Sequence, residues 1–316
     1  MAYSFRPIAP MQPFYTLADL QNWKQIAAQL KTPIRLGVLG YPVAQSLSPE
    51  MQSAALAECR IAMQYARFEI QPNELAAVLQ LLPPLGFVGV NLTVPHKIAA
   101  LSLVDEVDQP AREIGALNTI RIDGEKLLGF NTDGPGFGHA IHQAFSVDLR
   151  DLRVLLLGAG GGAGRAIAFQ CARENCERLV LVNRTFEKSQ ALEGELAGYF
   201  SGPRVFGPVA RLEAIPWDDR ALRLQLAHTD LVINATPLGL KQTDPLPLPP
   251  ALLAPHLMIY DLLYKSAPTP LLTAAAEAGA RGANGLTMLL HQGALAFERW
   301  FDRPAPLPAM RAALGL

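Results

Sequence analysis

Two titratable side chains stand at positions from which they could exchange a proton. Lys97 ends the segment NLTVPHK (91–97), where Pro95 reads as the first residue of a helix, so the lysine falls in the first helical turn. The helix macrodipole disfavours a cation at that end. Asp133 follows the strand-like segment KLLGF. A lysine and an aspartate that reach one crevice suit acid–base chemistry near neutral pH, and an ordinary structural ion pair is the alternative.

Small polar side chains recur where apolar segments end, the place at which open α/β sheets bind ligands. Asn and Thr alternate with apolar residues in VNLTV and ALNTI, which puts polar groups on one face of apolar strands, where burial requires partners. For any one of these residues alone, a turn or a helix cap is the alternative role. The set comprises Ser46, Ser48, Asn91, Thr93, Asn118, Thr119, Asn131 and Thr132.

A glycine-rich segment indicates a nucleotide site. VLLLGAGGGAGRAIAF (154–169) reads as a strand, a tight turn and a helix from about Gly164. Glycines in this context let the backbone approach a pyrophosphate, whose charge lies at the helix N-terminus. The spacing leaves open whether Ala163 or Gly164 takes the third position of the fingerprint. The expected cofactor residues are Gly158, Ala159, Gly160, Gly161, Gly162 and Ala163.

The end of the next strand, RLVLVN, indicates the type of cofactor. An NAD site usually has an acid here that binds the ribose hydroxyls, whereas this chain has Asn183, Arg184 and Thr185, with Lys188 a turn later. An acid would repel a 2′-phosphate, and an arginine would bind it through charge-assisted hydrogen bonds. The sequence therefore predicts NADP over NAD, and a solvated surface arginine is the alternative.

Alternating strand-like and helical segments supply the elements that would position these side chains. Helical patterns begin at Pro49, Pro72 and Pro95, a hairpin turns at DGE, and a second series with a helix over 187–199 follows. This alternation predicts an α/β fold with a mostly parallel sheet. An amphipathic segment, 16–30, predicts an extra packed helix. The strand-like segments are 34–39, 66–70, 87–93, 117–122, 126–130, 153–158, 178–183, 231–236 and 257–264.

Composition narrows the classes of partner. The chain has 316 residues, 50% of them hydrophobic, and a formal net charge of −1, which is unlike the basic footprint of a nucleic-acid-binding protein. The three cysteines show no zinc-binding spacing, and we expect no metal. A signal peptide and an apolar run of membrane-spanning length are not recognisable. We expect a cytoplasmic protein, a monomer or homodimer, with a small-molecule substrate and no membrane or nucleic-acid partner.

Taken in order, these motifs resemble the shikimate dehydrogenase family. The resemblance runs from about Ile34 to Trp300 and rests on SLSP, NLTVPHK, GALNT, FNTDGPGF, GAGGGAGRA, NRT, NATPLGL and GLTMLLHQGALAFE. This family reduces 3-dehydroshikimate to shikimate with NADPH. The resemblance implies an N-terminal α/β substrate domain, 1–134 with the C-terminal helices 286–316 packing back, and a Rossmann dinucleotide-binding domain, 135–285, separated by a cleft.

The resemblance also implies a role for each matching residue. Lys97 and Asp133 would be the catalytic pair. The residues that would bind substrate are Ser46 and Ser48 at the carboxylate with Tyr264 nearby, Thr93, Asn118 and Gln292 at the ring hydroxyls, and Asn91 in support. Thr236 and Gly285 would join the cofactor site.

Two departures and two alternatives accompany this interpretation. Ser266 stands where the family commonly has a proline, and Thr287 stands where a glycine is frequent. A quinate or quinate/shikimate dehydrogenase more often uses NAD, and Arg184 argues against it. A non-catalytic NADP- or metabolite-sensing protein on the same fold would be expected to lack Lys97 and Asp133, and both are present.

Overall fold

The structure is a computed structural model that describes residues 12–201, 210–241, 243–264 and 267–316. The chain divides into two compact units, Met1–Thr132 with Gly293–Leu316, and Asp133–Gln292. The assignment of residues 1–134 and 286–316 to a substrate domain, and of residues 135–285 to a nucleotide domain, stays a prediction. Ser266 lies outside the described residues.

A six-stranded sheet forms the centre of the first unit. Its strands are β1 (Ile34–Gly40), β2 (Gln64–Glu69), β3 (Gly89–Leu92), β4 (Glu106–Val107), β5 (Thr119–Asp123) and β6 (Lys126–Phe130). Their spatial order is β2-β1-β3-β5-β6-β4. The hairpin partners β5 and β6 are antiparallel, as are β3 and β5, whereas the other neighbours are parallel. The predicted mostly parallel sheet and hairpin are therefore confirmed.

Six α-helices lie within residues 12–132, and three of them begin close to a predicted start. They are α1 (Leu17–Gln21), α2 (Trp23–Ala27), α3 (Ser48–Glu58), α4 (Leu75–Leu81), α5 (His96–Ala99) and α6 (Gln109–Ile114). Pro49 is the second residue of α3, and Pro72 begins a 3₁₀ turn that leads into α4. Pro95 precedes α5 rather than starting it, because the helix begins at His96. Lys97 still lies in the first turn.

Aromatic side chains form much of the core beneath this sheet. The ring centroids of Trp23 lie 5.3 Å from Tyr15 and 5.5 Å from Phe87, and those of Phe68 and Phe87 lie 5.6 Å apart. Such edge-on and tilted contacts add to the hydrophobic gain of burial. The amphipathic segment before β1 is thus a packed part of the unit, as predicted, although it forms two short helices.

The sheet of the second unit has the doubly wound order of a dinucleotide-binding fold. Its strands are β7 (Arg153–Leu157), β8 (Arg178–Val182), β9 (Leu212–Ile215), β10 (Leu231–Asn234), β11 (Met258–Asp261) and β12 (Arg281–Asn284). The order is β12-β11-β10-β7-β8-β9, with each pair of neighbours parallel. The order reverses between β7 and β10, the switch point at which such sheets bind ligands.

Five helices accompany the strands of this second sheet, and two more follow the last strand. They are α7 (Asp133–Phe145), α8 (Gly162–Arg173), α9 (Phe186–Leu196), α10 (Asp219–Leu226) and α11 (Pro270–Glu277). The long α12 (Leu286–Phe301) begins in the second unit and ends in the first, and α13 (Leu307–Ala313) packs against α3. Within the described ranges, no helix has the length and apolar character needed to cross a membrane.

Candidate active site

Ser46 and Ser48 lie in one turn between β1 and α3. The Ser46 N–H donates to the Val43 carbonyl at 3.1 Å, and the Ser48 N–H donates to the Ser46 hydroxyl oxygen at 3.3 Å. Ser48 is the first residue of α3 and is buried. Two hydroxyl donors beside the N-terminus of an 11-residue helix suit the binding of a carboxylate.

A buried polar network joins the ends of β3, β5 and β6. The Tyr65 hydroxyl donates to the Asn91 side-chain oxygen at 2.8 Å, and Asn91 Nδ2 donates to Thr119 Oγ1 at 3.0 Å and to the Asn118 carbonyl at 3.2 Å. Thr119 Oγ1 donates to Asn118 Oδ1 at 3.2 Å, and the Thr132 N–H donates to the same oxygen at 2.8 Å. The structure therefore brings Asn91 and Asn118 together and fixes their orientation.

The segment from Thr93 to Lys97 is tied to this sheet by its backbone. The Thr93 N–H donates to the Leu39 carbonyl, and the Leu117 N–H donates to the Lys97 carbonyl, both at 2.9 Å. Thr93 and Lys97 are half-buried. His96 between them is buried, and burial lowers the pKa of its imidazole, although a hydrogen bond with the Ile70 carbonyl partly offsets that effect.

Asp133, Tyr264 and Gln292 belong to the second unit. Asp133 is the first residue of α7 and is 3% exposed. A Cβ on Gly136, one turn later, would lie 2.7 Å from the Gln292 backbone nitrogen, so α7 and α12 pack closely at this point. Gln292 Nε2 donates to the Leu289 carbonyl at 2.9 Å, and Tyr264 is half-buried after β11.

The turn from β7 to α8 is tight and rich in glycine, as at the nucleotide sites of doubly wound sheets. Gly158 has a φ of 87°, which an L-amino acid side chain disfavours. Its N–H donates to the Val182 carbonyl at 2.8 Å, and α8 begins at Gly162, two residues before the predicted start. A Cβ on Gly164 would collide with the Gly158 carbonyl, whereas Ala163 already carries one. Close packing of helix and turn therefore depends on Gly164.

The end of β8 lies beside this turn. A Cβ on Gly160 would be 2.8 Å from the Lys188 Cβ and 3.3 Å from the Asn183 Cγ. Asn183 Nδ2 donates to the Thr185 carbonyl at 2.9 Å, and the side chains of Arg184 and Lys188 are exposed. The open backbone at the glycine turn and the adjacent cations fit a dinucleotide with an additional phosphate.

Two residues that the sequence does not predict as site residues organise the ends of β10 and β11. Asn234 and Asp261 are fully buried, and Asn234 Nδ2 donates to Asp261 Oδ1 at 2.9 Å. Asn234 Oδ1 accepts the Thr236 hydroxyl at 2.6 Å, which places Thr236 against Gly158. Thr269 donates to the second oxygen of Asp261 at 2.6 Å. Each of the two could have been predicted from the sequence, because it is the polar last residue of an otherwise apolar strand.

Thr287, the departure near the start of α12, has a definite partner. Its hydroxyl lies 2.9 Å from the Tyr260 hydroxyl, which also accepts the Met288 N–H at 3.2 Å. Burial raises the pKa of Tyr260 to about 12, although these two hydrogen bonds act in the opposite direction. Gly285, just before α12, packs against the Leu262 carbonyl and has no room for a Cβ. The Thr287 hydroxyl thus fixes the first turn of α12.

Histidines near α7 do not form a metal centre in the part of the chain that the structure describes. The rings of His139 and His291 contact edge to face, with their centroids 5.4 Å apart, and His291 Nε2 lies 2.8 Å from Gln143 Oε1. Among those residues, no group of three or more His, Cys, Asp and Glu side chains could hold a metal ion.

A parallel doubly wound sheet with a glycine turn at β7 and cations at the end of β8 defines the second unit as a dinucleotide-binding domain of the kind found in dehydrogenases. Residues 38–120 match the family described as "Shikimate dehydrogenase substrate binding domain", and residues 285–314 match "Shikimate 5'-dehydrogenase C-terminal domain". The chain belongs to the shikimate dehydrogenase family.

Three similar proteins support this membership. The chain is 42% identical to the shikimate dehydrogenase (NADP(+)) of Moorella thermoacetica over 88% of its own length and 92% of that protein. It is 40% identical to the enzyme of the same name from Methanopyrus kandleri, over 88% and 94%. The crystal structure of shikimate 5-dehydrogenase from Thermus thermophilus in complex with NADP(H) and shikimate matches with a TM-score of 0.76, 36% identity and coverage of 89% and 98%.

Proposed function

We propose that this protein reduces 3-dehydroshikimate to shikimate with NADPH, and oxidises shikimate in reverse. The chain is an NADP-dependent oxidoreductase of the shikimate dehydrogenase family, and its relatives named for this reaction match nearly nine-tenths of its length. That match is the observation that carries the proposal. The proposal includes a cytoplasmic location and a monomer or homodimer.

The proposed nucleotide site consists of the glycine turn and the end of β8. The Gly158–Gly162 backbone would approach the pyrophosphate at the N-terminus of α8, and Arg184 would bind the 2′-phosphate, with Lys188, Asn183 and Thr185 beside it. Thr236 and Gly285 would complete the cofactor site. When bound, the cofactor supplies the hydride, so the protein contributes position and charge.

In the proposed mechanism the protein supplies the proton. Lys97 donates it to the substrate's C3 carbonyl oxygen as that oxygen gains negative charge, and in the reverse direction the lysine accepts it. Asp133 orients the Lys97 ammonium and a neighbouring substrate hydroxyl. A ketone that takes up one hydride at carbon and one proton at oxygen becomes the alcohol, so the reaction balances.

The remaining residues position the substrate. Ser46 and Ser48 bind its carboxylate, with Tyr264 nearby. Thr93, Asn118 and Gln292 hold ring hydroxyls, and Asn91 supports Asn118 through the buried network. The fixed orientation of Asn91 and Asn118 supports this assignment, because pre-organised donors lose little freedom when a ligand binds.

The quinate alternative is not favoured. The named relatives are shikimate dehydrogenases that use NADP, and an arginine rather than an acid follows β8. A non-catalytic sensing protein would not need both Lys97 and Asp133, which this chain retains.

Initial rates with shikimate and quinate, each with NADP⁺ and NAD⁺, test the proposal. We expect turnover with shikimate and NADP⁺, a kcat/KM lower by at least about ten-fold with NAD⁺, and little activity with quinate. Equal or better efficiency with quinate and NAD⁺ would contradict the substrate and the cofactor assignment together. Absence of turnover in all four reactions, with NADP⁺ binding intact, would indicate a sensing protein.

A further inference from the structure

One face of β2 carries polar side chains that hold the segments of the proposed substrate site. Tyr65, Arg67 and Glu69 alternate with Ala66 and Phe68, and alternate residues of a strand share a face. Ala66 and Phe68 face the core. On the other face, Tyr65 binds Asn91, and the Glu69 carboxylate accepts the Val43 N–H at 3.4 Å.

Arg67 makes the shortest hydrogen bonds of this face. Its Nε and Nη2 donate to the Ser46 carbonyl at 3.0 and 2.6 Å, and Nη2 also donates to the Glu50 carboxylate at 2.6 Å. Glu50 lies in the first turn of α3, two residues after Ser48. The guanidinium thus joins β2, the serine turn and the start of α3, and the exposed fraction of its side chain is only 18%.

These contacts fix the part of the turn that carries both proposed carboxylate ligands. The Ser46 carbonyl, as an acceptor, would repel a carboxylate that approached it, and Arg67 occupies that oxygen with two donors. Holding this peptide group also fixes the direction of the Ser46 side chain, whose hydroxyl oxygen accepts the Ser48 N–H. The guanidinium adds positive charge near the turn, although Glu50 partly compensates it.

We propose that Arg67, braced by Glu50, is a positioning residue that holds Ser46 and Ser48 in the arrangement that binds the substrate's carboxylate. This inference rests on the proposed function. Arg67 acts through the serines, so its loss weakens binding of a carboxylate-bearing substrate far more than it slows the chemical step. A fork with several donors is required, because a single ammonium cannot reproduce the paired bonds to the carbonyl and the bond to Glu50.

Steady-state kinetics of four variants of the full-length protein test this role. Arg67→Met keeps the aliphatic stem, Arg67→Lys keeps the charge, and Glu50→Gln removes the brace's charge. Arg121→Met is the matched control, because Arg121 also binds a backbone carbonyl, that of Arg299, and a carboxylate, that of Asp302, in the same unit. Each variant is assayed with shikimate and with its uncharged methyl ester, and thermal unfolding is recorded.

We expect Arg67→Met to raise the KM for shikimate by roughly ten-fold or more, with kcat and the KM for NADP⁺ within about three-fold, because hydrogen bonds to a charged group are involved. The Lys variant recovers part of the loss, and Glu50→Gln shows a smaller increase. The kcat/KM for the ester changes by less than about two-fold in Arg67→Met. Arg121→Met leaves the KM for shikimate unchanged.

Two results would overturn the inference. An unchanged KM for shikimate in Arg67→Met, or equal losses with the acid and the ester, shows that Arg67 has only a structural role. An unfolded Met variant leaves the decision to Arg67→Lys and Glu50→Gln, whose acid-to-ester ratios must then shift in the same direction. A parent protein that does not turn over shikimate contradicts the proposed function itself, and the inference falls with it.

Discussion

The His96 imidazole lies with Nε2 2.9 Å from the Ile70 carbonyl oxygen and is only 1% exposed. His96 directly precedes Lys97 in α5, and Ile70 directly follows β2. The second ring nitrogen, Nδ1, is buried without a hydrogen-bond partner. The neutral ring therefore fastens the helix that carries the proposed proton donor, and a charged ring would be poorly accommodated.

This burial predicts an acid-sensitive stability. The folded pKa of His96 is lowered from 6.5, chiefly by desolvation, so below about pH 6.5 the unfolded chain binds a proton that the folded chain resists. The contribution to stability is present above that pH and is lost as the pH falls below it. Urea unfolding at pH 7.5 and 5.5 should show a larger loss for the parent than for His96→Gln. Equal losses would show that another group controls the acid response.

Close packing at Gly164 predicts that a Gly→Ala substitution there has the opposite effect on stability from the same substitution at Gly194. Gly164→Ala places a Cβ against the Gly158 carbonyl and should cost about 1–3 kcal/mol, with a raised KM for NADP⁺. Gly194→Ala in α9 is the matched control, since nothing lies within 4 Å of its added Cβ, and it should stabilise the protein by about 0.5–1 kcal/mol. Chemical denaturation of both variants checks the pair, and equal effects would refute the packing argument.

The hydroxyl pair of Tyr260 and Thr287 predicts coupled losses. Tyr260→Phe leaves the Met288 N–H and the Thr287 hydroxyl without their partner and should destabilise the protein by about 1–3 kcal/mol. Thr287→Val should cost less, and in the double variant the two losses should not add. A double-mutant cycle of unfolding free energies measures the coupling. Strict additivity would mean that the two hydroxyls do not interact.

The sequence predicts some strands of the second unit and not others. β7 and β8 were predicted because strands buried on both faces of a parallel sheet are continuously apolar. β9 and β12 were not, because LEAI and RGAN lack such a pattern and their pairing depends on the neighbouring strand. The sequence predicts the start of α8 two residues late, since glycine has a low helix propensity.

The sequence likewise predicts some of the polar site residues and not others. Asn91 and Asn118 were selected because they interrupt apolar strands, and the structure provides the partners that their burial requires. No local sequence pattern marks Arg67 as a positioning residue, because its partner, the Ser46 carbonyl, lies 21 residues away in sequence. Long-range pairing of this kind is determined by tertiary packing rather than by local pattern.

The cation at the end of β8 predicts the cofactor preference. Arg184→Ala should lower kcat/KM for NADP⁺ by about ten-fold to a hundred-fold and leave that for NAD⁺ nearly unchanged, because only NADP⁺ offers a 2′-phosphate to the guanidinium. Arg220→Ala, another exposed arginine of the same unit, is the control and should change neither value. A parallel loss with both cofactors would show that Arg184 does not read the phosphate.

The rate of hydride transfer in Lys97→Ala shows whether Lys97 supplies the proton. Removing a general acid typically lowers the rate by about 10² to 10⁴, so a single turnover of 3-dehydroshikimate with NADPH should slow by that factor while substrate affinity changes only a few-fold. A variant that retains the parent's single-turnover rate and shows only weaker substrate binding would contradict the account, because Lys97 would then bind the substrate without supplying the proton.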